Sequence, residues 1–161
     1  MARFDGLVGV ERVRADAEEH GLEIEVIVRP AANSLEEAAE LLRITPGDIV
    51  KSLVVKRSDD TYVFALVPGG RKISWPKLRG LLGVNKLQLP DASLALAATG
   101  YERGTITPLG SSIAWPVVAD EAIVGRRVSM GAGEHGRSLF VDADALISAL
   151  GATVADISDP E

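Results

Sequence analysis

The run Ile49–Val55 constrains this chain more than any other stretch. Its Ile, Val and Leu side chains favour a strand and favour burial, yet the run carries Lys51. A lysine is rarely buried without a partner, because taking its charge out of water is expensive. Lys51 therefore either snorkels to the surface or serves a pocket. The turn-forming residues Ser58, Asp59, Asp60 and Thr61 follow, and Tyr62–Val67 is a second apolar strand. Together they predict a hairpin with Lys51 at its entry.

The flanking segments supply helices and further strands. Leu7, Val10, Val13 and Ala17 recur at helical spacing, which predicts a helix over 6–19 closed by Gly21. Residues 22–28 alternate apolar and acidic before turning wholly apolar, as a strand with one wet face does. Ser34 and Glu37 form a capping box ahead of an apolar stripe that runs from Leu35 to Leu42. Thr45, Pro46, Gly47 and Asp48 signal another helical start. Ser74 caps a helix that ends at Gly83, Asp91 one that ends at Gly100, and Asp142 one that ends at Gly151. Short strands are expected at 87–89, 115–119, 127–130, 138–141 and 153–157. Pro68, Gly69 and Gly70 break the second hairpin strand, residues 101–110 are too rich in Gly, Thr and Pro for regular structure, and 131–136 is a glycine-rich turn. Strands outnumber helices and are joined partly by hairpins. That predicts an α/β (α+β) fold: a mixed sheet flanked by helices, curved or closed like a barrel. No repeat or linker divides residues 1–161, so a single domain is expected.

Composition narrows the function. No apolar run is long enough for a membrane span, and Met1–Asp5 does not open a signal peptide. Cysteine is absent, which excludes disulfides, thiolate metal sites and a cysteine nucleophile and fits a cytoplasmic setting. His20 and His135 are the only histidines, too few for a multi-histidine metal site, so neither a metal nor a cofactor is expected. The net charge of −6 is unevenly spread. Residues 1–50 hold eleven acids against five bases, whereas 61–90 hold no acid but include Arg71, Lys72, Lys77, Arg79 and Lys86. A local basic face on an acidic protein is one pattern of nucleic-acid binders, and equally of a solvated helix face. No Gly-x-Ser-x-Gly elbow, dinucleotide fingerprint or phosphate-binding loop occurs. What remains for chemistry is Lys51, two glycine-rich loops that can aim backbone N–H groups at an oxygen, and the hydroxyls of Thr105, Thr107, Ser111, Ser112 and Ser129.

Five pieces occur in order: Ile49–Val55 with its lysine, Leu66–Gly69, Thr99–Gly110 containing Gly104 and Pro108, Pro116–Asp120, and Val128–Gly131. Each is weak alone, but the ordered set is specific. It resembles the YbaK / prolyl-tRNA-synthetase-associated editing-domain family over roughly residues 22–158. The resemblance implies a mixed fold with a barrel-like sheet, and hydrolysis of the ester joining a wrong amino acid to the 3′ end of a tRNA. Many members act in trans on tRNA for proline charged with alanine or cysteine. Lys51 matches the family's essential lysine, Gly104 and Pro108 its Gly-x-x-x-Pro loop, and Ser129 a serine near the pocket in some members. The implied site is thus Lys51 and Gly104 for catalysis, with Thr105, Ile106, Thr107, Pro108, Ser129 and Gly131 on the substrate. Val26, Val28, Leu53 and Ile113 are candidates for its apolar wall. Some cysteine-clearing members carry an acid near Ser138, and Arg29 stands near where members place an aromatic residue or histidine. Glu134 and His135 fall in a variable turn and have no assigned role.

Three functions fit these residues. The first is a freestanding deacylase acting on a mischarged tRNA 3′ end, with prolyl-tRNA synthetase as a possible partner. The second is a module that binds tRNA or a synthetase without hydrolysis, and the third is a hydrolase or binder of small molecules on the same fold.

Overall fold

The computed structural model describes residues 4–161; the residues before these, including Met1–Arg3 of the segment read for a signal peptide, lie outside the described residues. Ten strands and five α-helices follow one another in a mixed order. They are α1 (Val10–Glu19), β1 (Glu25–Val28), α2 (Leu35–Leu42), β2 (Val50–Arg57), β3 (Tyr62–Pro68), β4 (Arg71–Ile73), α3 (Trp75–Leu82), β5 (Leu87–Gln88), α4 (Ala92–Thr99), β6 (Val117–Asp120), β7 (Arg127–Gly131), β8 (Arg137–Asp142), α5 (Ala143–Leu150), β9 (Thr153–Ala155) and β10 (Ser158–Pro160).

The hairpin forms as expected, with β2 and β3 antiparallel and Lys51 opposite Val67. It is the centre of a five-stranded sheet of order β5-β2-β3-β6-β9, in which β6 runs parallel to both β3 and β9. Every residue of β3 is buried, which is why its sequence is a continuous apolar run rather than an alternation. One face packs Val54, Phe64 and Leu66 against α1, α4 and α5. The other packs Val55, Val63, Ala65 and Val67 against Leu78 of α3 and Ile157. Phe64 is wholly buried, and such a side chain contributes about 1.5–3 kcal/mol.

The fold is the expected mixed α/β arrangement, but the sheet does not close. β1, β8 and β7 form a separate three-stranded sheet, and β4 and β10 a two-stranded one. The three-stranded sheet meets the five-stranded one through a single parallel bridge, Ile49 to Ser129. Beyond that bridge Gly131 backs onto the carbonyls of Thr105 and Ile106, where a Cβ would lie 3.0 Å from the Ile106 oxygen. The loop thus fills the place in which β7 would continue beside β2.

Local signals placed most helix ends. Ser34 Oγ accepts from Glu37 N at 3.0 Å, Asp91 Oδ1 from Leu94 N at 2.9 Å, and Asp142 Oδ2 from Ala145 N at 3.0 Å. Gly83, Gly100 and Gly151 close their helices in the left-handed conformation. The first helix begins at Val10 rather than Gly6, because the group that caps it comes from far along the chain: Glu134 Oε1 accepts from Val10 N at 3.0 Å. The expected edge strand over 153–157 is β9, alongside β6, and beyond it the unexpected β10 pairs with β4 just after the break at Gly69 and Gly70. Among the described residues no helix is long and apolar enough to cross a membrane.

Candidate functional site

A cavity of about 480 Å3 lies where β2 and β7 part, roofed by α2 and the start of α4. β3 covers one side of β2 from Val50 to Lys56. On the other side β2 has partners only at its two ends, through the Ile49–Ser129 bridge and through β5 at Lys56 and Arg57. Between those ends, among the described residues, the β2 edge facing the cavity carries no strand partner. Its backbone N–H and C=O groups are obligatory hydrogen-bonding groups. The hydroxyl of Ser52, on the same stretch, is buried with no hydrogen-bond partner. Such an atom is costly unless a ligand satisfies it.

Of the residues expected at the site, Lys51, Gly104, Ile106, Ser129 and Gly131 line this cavity. They come from β2, the 101–110 loop and β7, so the bridge and the loop packing bring them together. Lys51 Nζ donates to the Arg71 carbonyl and lies 3.4 Å from Glu161 Oε1. Its ammonium is therefore already engaged by β4 and by the residue following β10. Gly104 has φ 91°, a conformation that strains any other residue, and it sits 3.9 Å, measured from an added Cβ, from the His135 ring.

Thr105, Thr107 and Pro108 do not line the cavity; all three are buried behind its wall. The Thr105 hydroxyl donates to the Glu102 carbonyl at 2.7 Å, and Thr107 Oγ1 accepts from Leu109 N at 3.4 Å. These hydroxyls shape the loop rather than face a ligand. Of the four guesses for the apolar wall only Leu53 belongs to it. Val28 is 72% exposed and Ile113 48% exposed, while Val26 packs on the core. For Val26 and Val28 the reason is topological: β8 separates β1 from β7, and of this segment only Arg29, just past the end of β1, reaches the cavity. Leu35, Ala38 and Leu42 of α2, with Ala92 and Ala95 of α4, supply the apolar roof instead. Their small residues on helix faces that look toward the sheet are the sequence signal for a void.

The loop is held from behind. Buried Arg12 donates to the Gly110 carbonyl at 2.6 and 2.9 Å and to the Thr99 carbonyl at 3.1 Å, and stacks 4.8 Å from the Tyr101 ring. Asp16 Oδ2 accepts from Gly110 N at 2.7 Å, and the Tyr101 hydroxyl donates to the Leu109 carbonyl at 2.7 Å. The turn at 131–136 is tied on by Gly133 N to the Thr105 carbonyl at 3.0 Å and by His135 Nε2 to Glu102 Oε2 at 3.1 Å. Glu134 and His135 thus join this turn to α1 and to the loop.

Three arginines, from Arg29, Arg103 and Arg137, also line the cavity. Arg29 Nε donates to Ser138 Oγ at 3.0 Å, which joins the two positions at which the chain departs from some family patterns. The basic face expected from 61–90 is partly neutralised, since Lys77 pairs with Asp156 at 3.0 Å and with Asp159 at 3.1 Å.

Comparisons with known proteins bear on the family and the fold. A proline–tRNA ligase of Desulfotalea psychrophila is 32% identical over 145 residues, covering 88% of this chain and 25% of the ligase. The chain thus spans about a quarter of the length of that curated relative. A protein of Enterococcus faecalis, provisionally named Cys-tRNA(Pro)/Cys-tRNA(Cys) deacylase EbsC, is 30% identical over 129 residues, covering 80% of this chain and 79% of its own. A crystal structure described as that of a provisionally assigned trans-editing enzyme for prolyl tRNA synthetase superposes with a TM-score of 0.86 at 27% identity, over 93% of this chain and 96% of that one. Residues 29–149 match the model of the aminoacyl-tRNA editing domain, and the chain belongs to that family.

Proposed function

We propose that this chain hydrolyses the ester of a mischarged tRNA, acting apart from a synthetase, with tRNA for proline carrying cysteine or alanine as the leading substrate. The observation that carries the reading is the convergence of Lys51, Gly104, Ser129 and Gly131 on one cavity beside an unpaired strand edge. A water oxygen attacks the ester carbonyl carbon, the bond to the ribose oxygen breaks, and the proton passes to that oxygen. The products are a free amino acid and an uncharged tRNA. An aminoacyl ester is already activated, so the demand on the protein is to orient the ester and to stabilise the oxyanion. Backbone groups at Gly104 and along the open edge of β2 suit that task, the first on a loop held by the Arg12 and Tyr101 contacts and the second on a strand held by β3. Lys51 either offsets oxyanion charge or holds the terminal ribose or phosphate, and for both it exchanges its Arg71 and Glu161 contacts for substrate.

The test is single-turnover deacylation of Ala-, Cys- and Ser-charged tRNA for proline by wild type and Lys51→Ala. Rapid release is expected, with a loss of about a hundred- to thousand-fold in the variant if Lys51 acts at the oxyanion. A raised KM with a weaker salt dependence identifies a grip on phosphate instead. One observation favours a second reading, a tRNA-binding module without hydrolysis: the lysine's ammonium is already engaged by Glu161. Esters that remain intact for every charged tRNA, with salt-sensitive binding retained, would establish that reading.

A further inference from the structure

The cavity has an unbalanced charge. Arg29, Arg103, Arg137 and Lys51 line it, and no aspartate or glutamate does, on a chain whose net charge is −6. Lys51 has a carboxylate partner in Glu161. The three arginines have no ion pair among the described residues, and the one side-chain contact among them is from Arg29 to the neutral hydroxyl of Ser138. The acids nearest in sequence are turned elsewhere: Glu102 to His135 and Glu134 to the backbone of Val10.

The arginines are also brought together by the fold. Val28 stands opposite Arg137 across the β1/β8 ladder, and Arg29 N donates to the Gly136 carbonyl at 2.8 Å, so Arg29 and Arg137 stand at the same end of this ladder, and both line the cavity. Arg103 arrives from the other side, on the loop that the Glu102–His135 contact pins to the 131–136 turn. Three arginines from three segments thus line the cavity that holds Gly104 and Ser129. Guanidinium is the side chain best shaped for bidentate contact with a phosphate, and it stays charged at every working pH.

We infer that Arg29, Arg103 and Arg137 form the seat for phosphodiester groups of the single-stranded 3′ end of the substrate RNA, an assignment that rests on the tRNA reading above. None of the basic residues named at 61–90 lines this cavity, and Lys77 among them is occupied by Asp156 and Asp159. The arginines hold phosphates around the cavity, Arg103 next to Gly104 and Arg29 and Arg137 across from it, while the ester lies against Gly104 and the open edge of β2.

The experiment has two arms. In the first, fluorescence anisotropy measures binding of an uncharged RNA hairpin ending in CCA across a salt series, for wild type, Arg103→Ala and Arg137→Ala. Each substitution is expected to weaken binding about fivefold to tenfold and to lower the slope of log affinity against log salt by about 0.7. An unchanged slope in both variants, or no binding by wild type, would overturn the assignment. So would AMP binding as tightly as the hairpin, which would give the arginines to a small phosphorylated ligand. In the second arm, kcat/KM is compared on charged tRNA and on 3′-aminoacyl-adenosine, which has no phosphate. The loss on charged tRNA is expected to exceed that on the adenosine ester by about tenfold; equal losses on both would overturn the assignment. Should wild type cleave neither ester, the deacylase reading fails while the binding arm still decides the role of the arginines.

Discussion

Arg12, behind the 101–110 loop, and Arg137, at the cavity, face opposite physical situations. Arg12 is buried, and its guanidinium is saturated by the carbonyls of Gly110 and Thr99 and by the face of Tyr101. Arg137 is half-buried at the cavity, and among the described residues it has no hydrogen bond or ion pair from its side chain. A charge withdrawn from water is tolerated only with its hydrogen bonds complete, so Arg12 is a structural element that fixes the back of the loop. A charge left in a wet cavity without a counter-ion costs little and stays available to a ligand. Chemical identity therefore does not distinguish the two; the state of their donors does.

The largest expected effect tests the first half of that contrast. Arg12→Met keeps most of the side-chain volume but leaves the Gly110 carbonyl without its donor. Loss of a buried hydrogen bond to a charged group costs about 3 kcal/mol, which for a chain of this size lowers Tm by roughly 10 °C in a calorimetric scan. Arg137→Ala is expected to change stability by no more than about 0.5 kcal/mol. Equal shifts in Tm for the two variants would break the comparison.

The next effect concerns the front of the loop. At Gly131 an added Cβ would lie 3.0 Å from the Ile106 oxygen and 3.2 Å from the Thr105 oxygen, so Gly131→Ala pushes the loop away from β7. At Gly104 there is room, with only the His135 ring at 3.9 Å, but the φ of 91° strains any side chain by about 1–3 kcal/mol. Gly131→Ala is therefore expected to lower kcat about tenfold with little change in Tm, because a small displacement spoils the aligned geometry. Gly104→Ala is expected to lower both kcat and Tm. Steady-state kinetics beside thermal melts separates the two; a fall in Tm for Gly131→Ala as large as that for Gly104→Ala would show the loop to be less firmly held than the Arg12 contacts imply.

What could be read beforehand divides along the same line. Ser34, Asp91 and Asp142 cap helices through bonds to the third residue after them, so the signal lies within one turn of chain and was legible. The β2/β3 hairpin was legible because its turn and its two apolar runs adjoin. The pairing of β10 with β4 was not, since three residues near 159 meet three near 72 with no local pattern to announce it. Arg12 reads as a polar position on an amphipathic helix; its burial depends on carbonyls some ninety positions later. Lys51 stood out as the one charge in an apolar run and Gly104 and Ser129 by resemblance, whereas Arg29 and Arg137 were tied to the cavity only once β1 and β8 were paired. Ser52 was passed over beside Lys51, although its unpartnered hydroxyl lies on the open stretch of β2.

Lys51 stands between the two arginine cases, bonded to the Arg71 carbonyl but only weakly paired with a carboxylate. Its carboxylate partner, Glu161, is 58% exposed, and exposed pairs contribute about 0–1 kcal/mol. Glu161→Gln is therefore expected to raise kcat/KM by up to about fivefold, by easing the exchange of Lys51 onto substrate. A fall instead would mean that the carboxylate helps to aim the ammonium.

The smallest effect is a pH dependence in the segment that carries Glu161. Lys77 Nζ donates to Asp156 Oδ1 at 3.1 Å and to the Ser158 carbonyl at 2.9 Å, and so holds β10 against α3. The hydrogen bond from Lys77 keeps the Asp156 carboxyl below its ordinary value of 3.8. Hydrogen bonds to Asp156 and Asp159 keep the Lys77 ammonium above its ordinary value of 10.5. For the carboxylate, the contribution is present above pH 3.8 and is lost as pH falls through the lowered folded value. For the lysine, it is complete below pH 10.5 and is lost as pH rises through the raised folded value. Across the neutral range the clamp is thus intact. Both groups are exposed, so its failure loosens one short strand rather than the core. Amide exchange at Glu161, whose N donates to the Gly70 carbonyl at 3.1 Å, is the local readout once the intrinsic pH dependence is divided out. Protection is expected to be flat through neutrality and to fall at either extreme, and Lys77→Ala to lower it at neutral pH and remove the fall. A variant with the same protection profile as wild type would show that main-chain pairing with β4 holds β10 alone, and that the contact of Glu161 with Lys51 does not depend on Lys77.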